Sequence, residues 1–226
     1  MHVAAIILAA GKGARFKSRT PKPLVRINSK PIISYSLRAL SAIREIKSIV
    51  VVVNRSNRRA IQALIDKGNF PKVKRMVLGG AKRQESVLNG ILAAGDSAKL
   101  VLIHDSARPF ASAAIARRLI REASRSKAAI CGVPVKSTIK EVDAGIVKRT
   151  PVRSRLWEIQ TPQVFDRKLL LKAYARFGRA SVTDDSMLIE KLGARVKVIK
   201  GSYDNIKITT PGDLRIAQVI VKCLTG

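Results

Sequence analysis

Acid is scarce in this chain. Fifteen Asp and Glu stand against forty-four Lys and Arg, a net charge of +29. Such an excess draws polyanions: nucleotides, phosphorylated metabolites, nucleic acid or an anionic membrane surface. Aromatic residues are scarce too, at 4%, so the core has to be built from Val, Ile, Leu and Ala. That suits a parallel sheet covered by helices, and it lacks the stacking aromatics of an RNA-recognition sheet. The cations are spread along the whole sequence with no basic tail, which argues against specific nucleic-acid binding. Only two histidines and two cysteines are present. Cys131 and Cys223 lie far apart and match no metal spacing, as expected of buried thiols in a reducing cytoplasm. No apolar run approaches the ~20 residues that cross a bilayer, and the N-terminus lacks the layout of a signal peptide, so no membrane role is expected.

What is present begins with Val3–Leu8, an apolar run that reads as a fully buried strand. It breaks into Ala9-Ala10-Gly11-Lys12-Gly13-Ala14-Arg15, a loop suited to an anion. Small residues let backbone N–H groups approach a phosphate, and glycine permits the positive φ that such a nest needs. Lys12 and Arg15 add charge, and Arg15 can fork onto phosphate oxygens. Two familiar phosphate loops are excluded. A P-loop needs Ser or Thr where Gly13 stands. The dinucleotide fingerprint needs a third glycine where Phe16 stands and an acid where the second strand ends in Asn54-Arg55. A tight strand-to-helix turn with solvated cations is the plain alternative.

Farther on, Thr20-Pro21-Lys22-Pro23-Leu24 is locally stiff, because each proline restricts its surroundings. Lys22 is thereby held in one direction, whether towards a phosphate or simply on a rigid surface turn. Helices are predicted over about 31–42, 56–66 (with Ala60, Leu64 and Ile65 inward), 83–94, 112–126 and 166–177. Strands are predicted at 48–53, 73–78, 100–103, 128–133, 196–199 and 206–208. The alternation predicts a doubly wound, mostly parallel α/β sheet over residues 1–226, a single domain of ordinary size. Ligands of such sheets bind beyond the carboxyl ends of the strands, where the loops 9–15, 79–80 and 105–109 collect. His104 and Asp105 are neighbours on a strand and point to opposite faces, so they form no catalytic dyad. Asp105 suits a divalent metal, a hydroxyl or a cation.

The pattern changes at residues 138–141 and 146–150, which flank Val142-Asp143-Ala144-Gly145 and predict a β-hairpin, either an ordinary edge hairpin or an arm over about 135–155 that meets a second subunit. Thr183 is a plausible N-cap with Asp184 and Asp185 in the first helical turn to Leu192. Lys207 alternates with Ile206 and Ile208 and so faces opposite to both.

Taken together, Leu8 to Arg15, Pro21-Lys22, Gly79-Gly80, His104-Asp105-Ser106-Ala107-Arg108-Pro109, Thr161-Pro162-Gln163 and Asn205-Ile206-Lys207-Ile208-Thr209 resemble, in order and spacing, the methylerythritol-phosphate cytidylyltransferases of the non-mevalonate isoprenoid pathway. The resemblance spans nearly the whole chain. It implies a Rossmann-like nucleotidyltransferase fold and a reaction in which a phosphate oxygen of methylerythritol phosphate attacks the α-phosphate of CTP and releases pyrophosphate. That nucleophile is already ionised, so no general base is required, and placed cations are. By resemblance Arg15 and Lys22 stabilise the transition state. Arg153 and Lys207 hold the sugar phosphate, with Arg153 reaching over from a second subunit on the arm of a homodimer. The backbone of Ala9, Ala10, Gly11 and Gly13, with Gly80 and Ser86, binds CTP. Asp105, Arg108 and Thr138 lie on the polyol-phosphate side, and Mg2+ is held mainly by nucleotide phosphates. Two departures from the family pattern stand out, Pro23 after Lys22 and Ala81 after Gly79-Gly80, each removing a polar contact to the nucleotide. A sister activity on ribitol phosphate would use the same cations. A basic nucleic-acid-binding protein on an old enzyme fold would instead need its cations in one stripe.

Overall fold

The structure, a computed structural model, describes residues 1–11, 13, 16 and 20–225. The chain runs β1 (Val3–Leu8), a 3-10 turn (Lys22–Leu24), β2 (Arg26–Ile27), β3 (Lys30–Pro31), α1 (Ile32–Ser41), β4 (Ile46–Val53), α2 (Arg58–Gly68), β5 (Val73–Leu78) and α3 (Arg83–Ala93). It continues through β6 (Leu100–Asp105), α4 (Ala113–Ser126), β7 (Ala128–Pro134), β8 (Glu141–Asp143), β9 (Ile146–Arg149), a second 3-10 turn (Arg153–Arg155) and β10 (Trp157–Asp166). α5 (Arg167–Phe177), α6 (Ser186–Lys191), β11 (Lys197–Lys200) and α7 (Pro211–Thr225) complete it. Among the described residues no helix is long and apolar enough to cross a membrane.

Seven strands form one sheet in the order β11-β7-β10-β6-β1-β4-β5. Its pairs are parallel except those of β10, which runs antiparallel between β6 and β7. The apolar strands bury both faces, as a parallel sheet requires. One face packs Leu37 and Leu40 of α1, Ile61 of α2 and Ile115 and Leu119 of α4. The other packs Val87 and Ile91 of α3, Leu170 and Ala173 of α5 and Leu188 of α6. A third cluster, with Phe16, Ile27, Ile32 and Ile208, is closed by Ala217 and Val221 of α7.

Most expected elements are found within a residue or two of their sequence limits. Five readings are corrected. Ala60 is exposed, and Ile61 takes its place beside Ile65 on the buried face of α2. Residues 157–166 form the longest strand, which no apolar pattern announces. Residues 206–208 form no strand and join no ladder; they are held by the Ile208 amide donating to the Ala107 carbonyl at 2.9 Å. Thr183 caps nothing: Asp184 accepts the Met187 amide, while Asp185 immediately precedes α6 with no capping bond. The hairpin turn is two residues, Ala144 and Gly145, both at positive φ (48° and 80°), the geometry of a type I′ turn. The hairpin stands clear of the sheet, with residues 136–150 all exposed.

Candidate active site

At the carboxyl edge of β1, β4, β5 and β6 lies a cleft of about 540 Å³, within the usual size of a small-molecule site. The expected loops do meet there: Ala9, Ala10, Gly11, Gly13, Lys22, Gly80, Ser86, Asp105 and Lys207 all line it. Arg15, with Lys12, lies outside the described residues.

The first loop is held from behind by residues that the sequence reading did not single out. The amide of Asn57 donates from Nδ2 to the Ala9 carbonyl at 2.8 Å, and that of Asn54 to the Ala10 carbonyl at 3.1 Å. The two asparagines brace each other, the backbone N–H of each donating to the side-chain Oδ1 of the other. Both carbonyls are therefore drawn away from any anion, as a phosphate nest requires. The Ala9 amide is spent on Val52, so amides for an anion have to come from the residues after it. Gly13 sits at φ +64°, which supports the expectation of a glycine turn. Gly79 is required by close approach: a Cβ there would lie 2.6 Å from both the Ala10 Cβ and the Ser86 Oγ. Ser86 accepts from the Gly80 amide at 3.1 Å and donates to the Lys82 carbonyl, so it shapes this loop as well as facing the cleft.

Lys22 opens the 3-10 turn between the two prolines, where Leu24 and Val25 donate back to the Pro21 and Lys22 carbonyls. On the same cleft, Asp105 ends β6. Its Oδ2 lies 2.6 Å from the Lys207 ammonium and its Oδ1 3.5 Å from the Arg83 guanidinium. Burial alone would raise the Asp105 pKa, but the two cations outweigh it and hold the carboxyl well below its ordinary value. Lys207 is aimed by its neighbours. Ile208 is wholly buried on the far side, and buried Asn205 donates to Gln160 and to the Thr161 carbonyl.

Arg108 does not line this cleft. It is buried, donating to the Asn205 carbonyl at 2.7 Å and to the Ile159 carbonyl at 3.3 Å, and it borders a neighbouring cavity of about 460 Å³. Its charge therefore braces the segment that carries Lys207. Thr138 and Arg153 are exposed on or beside the hairpin, and neither lines the cleft of its own chain. Arg153 donates instead to the Lys136 carbonyl. The signal for Arg83, which borders both cavities, was absent from its local sequence, because its partners lie 22 and 102 residues away.

His104 points to the opposite face from Asp105, as the strand geometry demands. It is wholly buried: Nε2 donates to the Arg108 carbonyl at 3.0 Å, and Nδ1 accepts from Thr161 Oγ1 at 3.1 Å. Burial lowers its pKa to about 4, so the ring is neutral at pH 7 and serves the packing. Between pH 6.5 and 4 the unfolded chain binds a proton at His104 that the folded chain refuses. Stability is therefore expected to fall with pH in that window, by up to about 1.4 kcal/mol per pH unit. Urea titrations across the window would show the slope flattened in His104→Gln; an unchanged slope would mean that His104 titrates normally.

No group of three His, Cys, Asp or Glu side chains able to hold a metal occurs among the described residues. Asp105 is the one carboxylate on the described lining of the cleft, and both its oxygens already meet cations.

Residues 3–223 match the family model described as IspD, 2-C-methyl-D-erythritol 4-phosphate cytidylyltransferase. A protein of that name from Desulforamulus reducens is 44% identical over 98% of this chain and 96% of its own length. Another from Shouchella clausii is 43% identical over 98% and 97%. Among solved structures, the 4-diphosphocytidyl-2C-methyl-D-erythritol synthase of Anaerococcus prevotii superposes with a TM-score of 0.86 at 33% identity, covering 97% of this chain and 96% of its own. The Thermus thermophilus cytidylyltransferase does so with 0.79 at 30%, covering 98% and 100%.

Proposed function

This chain belongs to the 2-C-methyl-D-erythritol 4-phosphate cytidylyltransferase family, and we propose that the cleft carries out that family's reaction through the residues just described. The enzyme is a nucleotidyltransferase that moves the cytidylyl group of CTP to methylerythritol phosphate in isoprenoid precursor synthesis. The observation that carries the assignment of roles is that Lys22, the Ala9–Gly13 loop and Lys207, brought from distant parts of the sequence, line one cleft. The triphosphate lies against the loop, with the nucleoside towards Gly80 and Ser86. The acceptor phosphate lies near Lys207. A phosphate oxygen of the acceptor attacks the α-phosphorus as the bond to the bridging oxygen of pyrophosphate breaks. The charge that grows on the α-phosphate and the leaving group meets Lys22, and Arg15 on the same loop. No proton has to be removed from the nucleophile, which agrees with a buried, neutral His104.

Magnesium, in this reading, is carried in by the triphosphate, since Asp105 is already engaged by two cations. When bound it neutralises phosphate charge. Neither cysteine is in a disulfide, in keeping with a cytoplasmic enzyme, but only Cys131 is the buried thiol expected of both: Cys223 is exposed on α7.

The second part of the proposal is a homodimer built on the hairpin arm. A lone two-stranded hairpin is marginal in water, and this one exposes Val142, Ile146, Val147 and Val152, each more than half accessible. Such apolar surface suits burial against a second copy, which would bring the partner's arm, with Arg153 and Thr138, to the acceptor side. Sedimentation at the mass of one chain would remove this part.

The assay is direct. With Mg2+, CTP and methylerythritol phosphate the protein is expected to release pyrophosphate, and ribitol phosphate in its place is expected to give little. Release with neither acceptor would overturn the assignment, and release with ribitol phosphate alone would transfer it to the sister activity.

A further inference from the structure

Three side chains, Arg83, Asp105 and Lys207, border both the cleft and the neighbouring cavity, forming a wall between them. Their charges are linked in a line that continues inward. Lys207 meets Asp105 Oδ2 at 2.6 Å, and Asp105 Oδ1 meets Arg83 Nη2 at 3.5 Å. Arg83 Nη1 meets Asp185 Oδ2 at 2.7 Å, and Asp185 Oδ1 accepts from the Tyr174 hydroxyl at 2.5 Å. Asp185 is completely buried. It lies at the start of α6, while Arg83 is the first residue of α3. A bond from Gln84 to the Ala180 carbonyl fixes the same two segments together. The guanidinium is therefore held by the core through Nη1 and presents Nη2 to Asp105, bridging two carboxylates with a planar group whose geometry lysine does not share.

We propose that Arg83 is a positioning residue for the transfer reaction: by occupying Oδ1 of Asp105 it confines Lys207 to Oδ2 and keeps the remaining ammonium donors turned to the acceptor phosphate. The inference rests on the assignment of Lys207 to the acceptor phosphate. A carboxylate between two cations neutralises neither fully. With Arg83 gone, Asp105 turns both oxygens to Lys207 and cancels the charge that the acceptor needs. The line of charges runs from the acceptor side into the core through Asp105, Arg83 and Asp185, so the nucleotide side should feel little of the change.

Removing Arg83 alone strands the buried Asp185, so the informative variant is the paired neutral one, Arg83→Gln with Asp185→Asn, which keeps amide hydrogen bonds in place of charges. Its KM for methylerythritol phosphate is expected to rise about tenfold or more, the effect of one lost charged hydrogen bond, with KM for CTP held within about twofold. Arg83→Lys should recover part of the loss. In a Lys207→Ala background the same pair of substitutions should change acceptor KM by no more than about twofold, because the residue through which Arg83 acts is gone. Equal effects in both backgrounds, or parallel rises in both KM values with a lowered melting temperature, would overturn the proposal and leave Arg83 a structural residue. If Lys207→Ala itself left the acceptor KM and kcat unchanged, the assignment of Lys207 would fail, and the role of Arg83 with it.

Discussion

Lys22→Ala is expected to reduce kcat by about a hundredfold or more, with both KM values changed only a few-fold and folding intact. The size follows from how the residue is held. Pro21 (φ −53°) and buried Pro23 flank it, and the turn closes on itself through Leu24 and Val25 donating to the Pro21 and Lys22 carbonyls. Its far side is anchored where Leu24 packs against the core and Ile32 donates to the Val25 carbonyl. A charge on such a base needs no reorganisation when the α-phosphate becomes more negative, and preorganised charge is worth most in the transition state. The substitution removes no buried side chain, so the melting temperature should hardly move. Single-turnover rates with saturating CTP and methylerythritol phosphate check the prediction. A variant that keeps more than about a tenth of the rate would take Lys22 out of the chemical step.

The second large effect is on stability. Asp185→Ala is expected to cost about 3 kcal/mol, because removing one member of a buried ion pair leaves the other charge uncompensated. Asp185 has no solvent access, and its loss would strand both the Arg83 guanidinium and the largely buried Tyr174 hydroxyl. Arg83 keeps some access to the cleft, its side chain being 31% exposed, which places the cost at the lower end of the usual range. Tyr174→Phe, which spares the ion pair, should cost only about 1 kcal/mol. Urea unfolding would separate the two, and a loss below about 1 kcal/mol for Asp185→Ala would mean that the pair contributes little to folding.

The contrast between Asp184 and Asp185 indicates how far the sequence could be read. The strand Val3–Leu8 was legible to the residue, since a buried parallel strand is an unbroken apolar run bounded by glycine. β10 was not, because its buried middle is polar. Gln160 donates to the Ser202 carbonyl, Thr161 pairs with His104 and the Asp105 amide, and Gln163 donates to Asp184. The partners in these bonds lie in segments distant in sequence, and periodicity cannot see such partners. The loop at Ala9–Gly13, Lys22, Asp105 and Lys207 were placed in one site by strand order and resemblance, and they do share one cleft. Asp184 and Asp185 looked alike in sequence as acids near a helix start. Only the fold distinguishes one that binds the helix backbone from one that pairs with an arginine 102 residues away. Arg108, grouped with the polyol side by its motif, turned out to brace the Lys207 segment from within.

The hairpin has its two feet side by side. Pro134 at the end of β7 stands opposite Trp157 at the start of β10, and the Val135 amide donates to the Leu156 carbonyl. Residues 135–156 are thus a closed excursion from a sheet whose register is already complete without them. Because the loop leaves and returns between hydrogen-bonded neighbours, its length and sequence can drift with small effect on the folding of the body. The reaction edge and the surface that greets another molecule are in that sense separate heritable units, joined at the feet of the arm. An excised or exchanged arm would give a protein whose solubility and company change while its nucleotide wall is inherited intact.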